Sequence, residues 1–451
     1  CLSTKLFKIQ SIIISRNLHI LTTEEKMKPK NSSSISRRKM LKLGTGTTAA
    51  AVAALYAPSV ISSDPITLRY LGTAVSMGDE VQKKLFEDTG LKVKFIAVTT
   101  DEVTKRVLTQ PNSFDLVDTE YFSLPKLVPS GNILGMDTKR IKEWDNVKSI
   151  FTKGVTPSGK KVGLQGTAPS KVMYLEGSTG KKFANDVTQY ATLIPTIYNA
   201  DTLGIRPDLI GRPINSWAEL LNPEFKGKAA TLNIPSIGIM DAAMVVEAMG
   251  EYTYPDKGNM TKDEIDLTMK IFTEAKKAGQ FRAFWTDFNE SVNLMASGEV
   301  VIQSMWSPAI TAVKSQGKDC VYQPLKEGYR AWAAGFALPK TTKGKTADAV
   351  YEFVNWYLSG WVGAYLNRQG YYSAVLPTAK QYMSEDEWGF WMEGKAAQGD
   401  ILSPTGAKLA SAGEKRDGGS YEDRMGGVAC WNATMDENKY MVRKWNEMVA
   451  S

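Results

Sequence analysis

The sequence predicts an α/β protein, because short apolar strands alternate with amphipathic helices along most of its length. Near the start of this pattern, strands are predicted at 67–72, 91–98 and 114–120, with helices between them. Strands separated by helices favour a parallel sheet that is covered on both faces. In such sheets ligands bind at the carboxyl ends of strands, where the strand order changes. Three polar residues stand at these ends and are candidate ligand contacts: Thr73, Thr119 and Glu120.

The alternation continues through the rest of the chain. Further strands are predicted at 193–200, 228–236, 300–306 and 330–339. A single long helix is predicted at 345–366, with its apolar residues on one face.

Several helix starts are predicted from residues that cap helices. Thr261 and Glu264 have the spacing of a capping box. Ser76, Ser236 and Ser307 are each expected to cap a helix, since serine accepts from the free backbone N–H groups of the first turn.

The first 63 residues are interpreted as upstream sequence followed by an export signal. Arg37 and Arg38 precede a mildly apolar run, and this pattern resembles a twin-arginine signal peptide. The residues before Met27 contain no recognisable element, so the natural start is expected at Met27. A retained membrane anchor is the alternative, because residues 41–61 are about long enough to span a bilayer.

The residue inventory argues against catalysis. The only histidine, His19, lies before Met27, which leaves the remainder without an imidazole for acid–base work or metal ligation. Nucleophile elbow, Cys-x-x-Cys and dinucleotide motifs do not occur, so no cofactor and no metal is expected.

Basic residues form no cluster with aromatic ones, so nucleic acid is not an expected partner. Cys320 and Cys430 could pair or remain buried thiols.

Several segments resemble the periplasmic solute-binding proteins of ATP-driven importers, in the branch of the spermidine/putrescine-binding proteins. The resemblance covers nearly the whole chain after the leader. It rests on these segments in family order: FEDTGLKVKF (86–95), FDLV (114–117), IYN (197–199), ASGEVVIQSMW (296–306), GFALPKTTKGKTADAVYEFVNWYLS (335–359) and the glycine-tyrosine at 370–371.

This resemblance implies a two-lobed fold of type II, with a mixed sheet flanked by helices in each lobe and a ligand cleft between the lobes. Residues 64–194 would begin lobe 1, residues 195–336 would form lobe 2, and residues 337–451 would complete lobe 1 and add a C-terminal helix. The chain would cross between the lobes near 195–200 and 334–338. Closure of the two lobes on a hinge would trap the ligand.

The resemblance also implies ligand contacts. Trp306 matches the family's pocket tryptophan and Tyr371 a pocket tyrosine. Polyamine sites combine aromatic walls with carboxylates, because the walls hold the stem and an acid pairs with each ammonium group. Three positions that carry acids in the family hold Ala309, about Ala334 and about Ser236 here.

The remaining candidates leave the solute open between a polyamine and a small organic anion or zwitterion. Glu120 and Asp287 are the acids that could replace the missing ones. Ser236 and Ser307 at helix starts would favour an anionic group. Trp332 and Trp285 are further aromatic candidates. The competing interpretation for each aromatic residue is core packing, and for each acid a solvated or ion-paired surface position.

Together these features predict a monomeric periplasmic binding protein, exported by the twin-arginine pathway, that delivers a small solute to the permease subunits of an ABC transporter. The alternatives are an exported enzyme on the same two-lobed scaffold and a membrane-tethered sensor.

Overall fold

The structure is a computed structural model in which residues 66–451 are described. The twin-arginine pattern, the signal or anchor and the expected start at Met27 lie outside these residues. Across the described range, every helix is too short or too polar to traverse a bilayer.

The strands range from two-residue bridges to two long central strands. They are β1 (Thr67–Gly72), β2 (Lys92–Ala97), β3 (Leu116–Glu120), β4 (Ile133–Leu134), β5 (Met136–Asp137), β6 (Gln165–Gly166), β7 (Tyr190–Ala191), β8 (Ile194–Ile205), β9 (Ala229–Leu232), β10 (Phe281–Trp285), β11 (Ile302–Met305), β12 (Val321–Tyr322), β13 (Tyr329–Pro339), β14 (Tyr372–Ser373), β15 (Ile401–Leu402), β16 (Lys408–Ala410) and β17 (Val428–Trp431).

The α-helices lie between these strands and cover the sheet. They are α1 (Asp79–Thr89), α2 (Thr100–Thr109), α3 (Leu124–Ser130), α4 (Ser149–Thr152), α5 (Pro207–Ile210), α6 (Pro235–Ala248), α7 (Lys262–Lys277), α8 (Phe288–Ser297), α9 (Ser307–Ser315), α10 (Gly344–Tyr357), α11 (Trp361–Asn367), α12 (Leu376–Lys380), α13 (Glu385–Glu393), α14 (Tyr421–Gly426) and α15 (Asn438–Ala450).

One sheet runs through the molecule in the order β10-β9-β11-β8-β13-β3-β1-β2. Its two ends are parallel, since β1 pairs with β2 and β3 in the same direction, as β9 does with β10 and β11. The middle is antiparallel, because β8 and β13 run in opposite directions. The mixed α/β class predicted from the sequence is confirmed.

The apolar residues form separate cores on either side of β8 and β13. The first core surrounds β1, β3 and α10, and includes Tyr70, Phe336 and Phe353. The second core lies under α6 and α7, and a smaller cluster around Trp285 and Met305 adjoins it. Cys320 and Cys430 are both buried free thiols.

Strands β8 and β13 link these cores. Residues Arg330 to Phe336 of β13 pair with residues Asp201 to Ile194 of β8, and both strands are buried along almost all of their length. The predicted crossing segments 195–200 and 334–338 lie within these two strands. The chain passes between the cores a third time after β17, because α15 packs against α6 and α7.

The C-terminal helix α15 packs on the second core. Met441, Trp445 and Met448 of α15 are buried in the second core. Trp445 donates from Nε1 to Asn233 Oδ1 at 2.8 Å. The apolar stripe of this helix is buried against α6 and α7, as expected for an amphipathic helix on a core.

One helix prediction was wrong and one helix cap was confirmed. The helix predicted at 345–366 is two helices, α10 and α11, because the chain turns at Gly360 with φ of 121°. A Cβ there would approach Thr378 O to 2.2 Å, so only glycine fits the turn. The capping box of Thr261 and Glu264 is confirmed.

The serines expected to cap helices do not cap them. Gly78, Ile234 and Trp306 are the N-cap residues of α1, α6 and α9, and none of these caps is made by a side chain. Ser236 and Ser307 lie inside the first turns. A proline at N1 of α6 and at N2 of α9 fixes the helical backbone near these serines, which places the start of each helix before the predicted cap.

Candidate functional site

A cavity of about 210 Å³, called the central cavity below, lies at the carboxyl end of β3 and against β8 and β13. Its volume is below the roughly 300–1,000 Å³ of typical drug-sized ligand pockets, so it suits a small molecule. Both sides of the long strands contribute to its wall: Thr73, Val75, Ser76, Val98, Thr99, Thr100, Glu120, Asp201, Ile234, Ile237, Thr286, Trp306, Arg330, Trp332, Ala334, Tyr371 and Asn432.

Three aromatic side chains form the apolar wall of the central cavity. Trp332 on β13 meets Tyr371 edge to face, with ring centroids 5.8 Å apart. Trp306 directly follows β11 and contacts the fully buried Trp285 edge to face at 5.0 Å. These edge-to-face contacts fix the rings in orientation and leave faces of Trp306 and Trp332 partly exposed.

Glu120 is the acidic group of this wall that has no ion-pair partner among residues 66–451. Its Oε1 accepts from Thr100 Oγ1 at 3.0 Å, and its Oε2 accepts from Asn432 Nδ2 at 3.3 Å. Desolvation of the half-buried carboxyl raises its pKa to about 7, although both hydrogen bonds act to lower it. A cation placed beside Glu120 would restore its ionised form.

Arg330 supplies a buried positive charge that is already neutralised. Its Nε donates to Asp241 Oδ1 at 2.6 Å, and its Nη2 lies 3.4 Å from Asp201 Oδ2. All three side chains are almost completely buried. Burial raises the pKa of Asp201 to about 6, while the charge of Arg330 opposes this rise.

A hydrogen-bond chain connects this ion cluster to Glu120. Arg330 Nη1 donates to Asn432 Oδ1 at 2.8 Å, and the amide of Asn432 donates in turn to Glu120. Asp241 also accepts from Ser304 Oγ at 2.6 Å, and Asp201 accepts from Tyr322 OH at 2.8 Å. Because every member is held by a neighbour, the acidic wall is preorganised.

Five of the residues singled out from the sequence line the central cavity: Thr73, Glu120, Trp306, Trp332 and Tyr371. Thr119 and Ser236 are buried next to lining residues, and neither hydroxyl has a hydrogen-bond partner among the described residues.

Three of the predicted site residues lie outside the central cavity. Trp285 is in the core behind Trp306 and donates from Nε1 to Ser304 O at 3.2 Å. Asp287 is exposed and caps α8 by accepting from the backbone of Asn289 and Glu290. Ser307 faces the other side of α9, where its Oγ lies 3.3 Å from Gly370 O. Core packing accounts for Trp285 and helix capping for Asp287, while Ser307 donates to a backbone carbonyl away from the central cavity.

Sequence reasoning missed Arg330, Asp201 and Asn432 as cavity residues. The signal that could have found the cluster is an isolated charge inside an apolar run. Arg330 begins such a run on β13, and Asp241 is the only charged residue among the first twelve of α6. A charge in a buried element requires a partner, so two such elements of opposite charge predict a pair.

Asp118, on the strand that ends at Glu120, is a buried carboxyl that should affect how stability depends on pH. It is 2% exposed, and burial raises its pKa from 3.8 to about 7. The folded state therefore holds this proton more tightly than the unfolded state, and the stability that the bound proton contributes is lost progressively as the pH rises from 3.8 to about 7. We expect Asp118→Asn to raise the free energy of unfolding at about pH 8 by about 2–4 kcal/mol.

Denaturant unfolding at about pH 8 and about pH 5 measures this effect, and the gain should be clearly larger at the higher pH. A variant that is less stable than the parent at both values would show that the ionised Asp118 carboxylate supports the fold.

The comparison with known proteins starts from a family model. The model described as "Bacterial extracellular solute-binding protein" matches residues 80–388. The chain belongs to this family. Members of this family bind small solutes and interact with ABC permeases, and the family and its fold are those of transport substrate-binding proteins.

Relatives of this solute-binding protein include the spermidine/putrescine-binding periplasmic protein of Escherichia coli K12. The two are 22% identical over 315 residues, which are 69% of this chain and 78% of that protein.

Solved structures with the same fold include a spermidine/putrescine ABC transporter substrate-binding protein from Streptococcus pneumoniae. It has a TM-score of 0.56 at 13% identity, with 85% of this chain and 97% of that chain covered. The binding protein AgtB of A. tumefaciens, in complex with agropinic acid, has a TM-score of 0.52 at 16% identity, with 85% and 99% covered. The two-lobed α/β fold predicted from the sequence is thereby confirmed.

Proposed function

We propose that this protein is the substrate-binding component of an ABC importer and that it binds a small amine-bearing solute in the central cavity. The observation that carries the proposal is Glu120, a carboxylate in a cavity wall with aromatic neighbours and no ion-pair partner among residues 66–451. A carboxylate in such a place is stabilised by a ligand that brings a positive charge.

The charge balance around the cavity favours a cation. Glu120, Asp201 and Asp241 are three acidic groups against the single guanidinium of Arg330. Two of the acids already surround Arg330, so Arg330 has little charge left to attract an anion. An ammonium group beside Glu120 would form a charge-assisted hydrogen bond in a poorly solvated site.

The aromatic wall accommodates the remainder of the solute. The partly exposed faces of Trp306 and Trp332 would contact methylene groups and attract an ammonium group by cation–π interaction. A volume of about 210 Å³ suits a small solute. Short diamines and monoamines are therefore preferred over long polyamines.

A zwitterion is the second candidate, favoured by two helix starts. Ile234 and Trp306, the N-cap residues of α6 and α9, both line the central cavity, and neither helix has a side-chain cap. Free N–H groups at such a start attract a carboxylate. An amino acid with its ammonium group at Glu120 and its carboxylate at a helix start would use both features.

Closure of two lobes around the solute completes the proposed cycle. Lobe 1 would comprise residues 64–194 and the segment that begins at 337, and lobe 2 residues 195–336. Because β8 and β13 carry Asp201 and Arg330 within the linking strands, bending of these strands would change the cavity directly. The closed form would then present the rims of both lobes to the permease.

Export by a twin-arginine signal and a periplasmic location are part of the same proposal. N-terminal sequencing of the protein from the membrane and soluble fractions of the producing cell separates cleavage from a retained anchor and hence from a tethered sensor. Turnover of a bound solute, measured by product analysis, would favour an exported enzyme.

A thermal-shift screen tests the solute class. The panel contains diamines, polyamines, monoamines, amino acids, carboxylates, sulfonates and sugars. A ligand at a thousand times its dissociation constant adds about 4 kcal/mol of stability, which raises the melting temperature measurably. We expect shifts with small amines. A shift with carboxylates, sulfonates or sugars alone would overturn the assignment of Glu120 as the ligand's counter-charge.

The affinity for an amine should depend on pH. Below pH 7 the Glu120 carboxyl is protonated, since its pKa in the free protein is about 7. Binding must then displace this proton, and we expect the affinity for a diamine to fall about tenfold for each pH unit below 7. Titration calorimetry with a diamine that stays doubly protonated measures the effect. An affinity that is constant between about pH 8 and about pH 6 would contradict it.

A further inference from the structure

A second cavity, of about 40 Å³, lies between α9 and the segment that carries α13 and α14. We call it the arginine cavity, and its charged lining consists of Lys314, Arg416, Asp417 and Arg424. It shares no lining residue with the central cavity. Helix α9 and Tyr322 contribute its wall on one side of the long strands, and Trp391 and both arginines contribute the other.

Arg416 is a buried guanidinium whose hydrogen-bond acceptors are all uncharged. Its Nη1 donates to Tyr372 OH at 2.8 Å and to Trp391 O at 2.7 Å, and its Nη2 donates to Gly370 O at 2.9 Å. Its side chain is 6% exposed. The Nε hydrogen and the second Nη2 hydrogen are donated to no group within residues 66–451.

Arg424, on α14, is likewise a buried guanidinium whose hydrogen-bond acceptors are all uncharged. Its Nη1 donates to Asp417 O at 3.2 Å, and its Nη2 donates to Ala200 O at 2.9 Å and to Asn199 Oδ1 at 3.3 Å. It is 1% exposed, and its Nε is a buried donor without a partner in the described part of the chain. Its guanidinium also stacks near the rings of Tyr322 and Tyr329.

The charges that line the arginine cavity do not balance. Three of the lining side chains are cationic and one is a carboxylate, which leaves a formal excess of two positive charges. The carboxylate of Asp417 accepts from Tyr322 N at 2.9 Å and from Lys314 Nζ at 3.4 Å. Neither guanidinium group donates a hydrogen bond to this carboxylate. Burial, with the nearby charge of Arg424, lowers the pKa of Arg416 to about 10. Two buried guanidinium groups that are hydrogen-bonded to no carboxylate are unfavourable.

We propose that the arginine cavity is a binding site for a small inorganic monoanion of about the size of chloride. The anion would accept hydrogen bonds from the N–H groups of Arg416 and Arg424 that have no other acceptor. These groups are charged donors held in fixed positions. A volume of about 40 Å³ has room for roughly one to three water-sized particles, so an organic carboxylate or a phosphate ester is too large.

A bound anion would also help to fix the position of the central cavity's wall. Gly370 O accepts from Arg416, and also from Asn199 Nδ2 and Ser307 Oγ, at 3.3 Å in both of the latter cases. The next residue, Tyr371, and the residue before Ser307, Trp306, both line the central cavity. The anion site is thus a structural element beside the solute site and is independent of the identity of the solute.

Bromide diffraction tests the site directly. Crystals of the purified protein grown in bromide in place of chloride should show an anomalous scattering peak between the guanidinium groups of Arg416 and Arg424. Bromide replaces chloride in such sites and is located without knowledge of the natural anion. The absence of a peak in this cavity at saturating bromide would overturn the proposal, since water alone would then occupy it.

Anion-dependent stability provides the second measurement. At constant ionic strength, replacing gluconate by chloride should raise the melting temperature of the parent by a few degrees. Arg416→Gln should lose this dependence, whereas Arg443→Gln, an exposed arginine on α15, should keep it. An equal response to chloride in the parent and in Arg416→Gln would contradict the proposal. If Arg416→Gln does not fold, the bromide peak in the parent decides.

Discussion

Replacing Glu120 by glutamine should weaken the binding of a small amine by about 100-fold or more, because the ammonium group loses its counter-charge in a poorly solvated site. The variant should fold, since the amide resembles a carboxyl whose pKa is already about 7. Its hydrogen bonds to Thr100 and Asn432 can be retained in part by the amide. Titration calorimetry with the amine that gives the largest thermal shift measures the loss.

Asp287→Asn is the matched control for this experiment. Asp287 is an equally plausible acid in the sequence, but it is exposed at the start of α8, outside the central cavity. Asparagine also caps helices well, so the substitution should preserve both stability and affinity. Loss of affinity in Asp287→Asn with retention in Glu120→Gln would show that the amine binds elsewhere on the surface.

Replacing Asp241 by alanine should lower the free energy of unfolding by about 3–5 kcal/mol, because it removes the carboxylate nearest to a fully buried guanidinium. The 2.6 Å contact between Asp241 Oδ1 and Arg330 Nε would be lost, and Ser304 would lose its acceptor. Alanine is a strong helix former, so the helical backbone of α6 would not itself be weakened. Denaturant unfolding at neutral pH gives the difference.

The control here is Asp348→Ala, which removes an ion pair of the same kind at the surface. Asp348 is 70% exposed and lies 2.8 Å from Arg140. Exposed pairs contribute about 0–1 kcal/mol, so this variant should be nearly as stable as the parent. A loss below about 1 kcal/mol in Asp241→Ala as well would mean that Asp201 alone can balance Arg330.

The alternation of strands and helices could be predicted from the sequence, because buried elements leave a pattern of apolar residues. β1, β2, β3 and β13 lie within a residue or two of their predicted bounds, since each is an apolar run between turn residues. The break between α10 and α11 was not readable. The apolar face continues across Gly360, and only the contact with Thr378 shows why the chain turns there.

The aromatic part of the central cavity could be predicted, while its ionic part could not. Trp306 and Tyr371 stand in segments that resemble the family, and both line the central cavity. Arg330 and Asp241 are 89 residues apart in the sequence and meet only because β13 and α6 are brought together by the fold. Long-range pairing of this kind leaves only the isolated charges as a sequence signal.

The third passage of the chain between the cores places its two described ends where a distance between them can be measured usefully. Because β1 belongs to the first core and α15 packs on the second, the first and last described elements lie on opposite sides of the long strands. The distance between a fluorescent donor near the start of β1 and an acceptor beyond α15 would therefore report on the proposed hinge. Energy transfer in single molecules would follow the proposed opening and closing, with no label near either cavity.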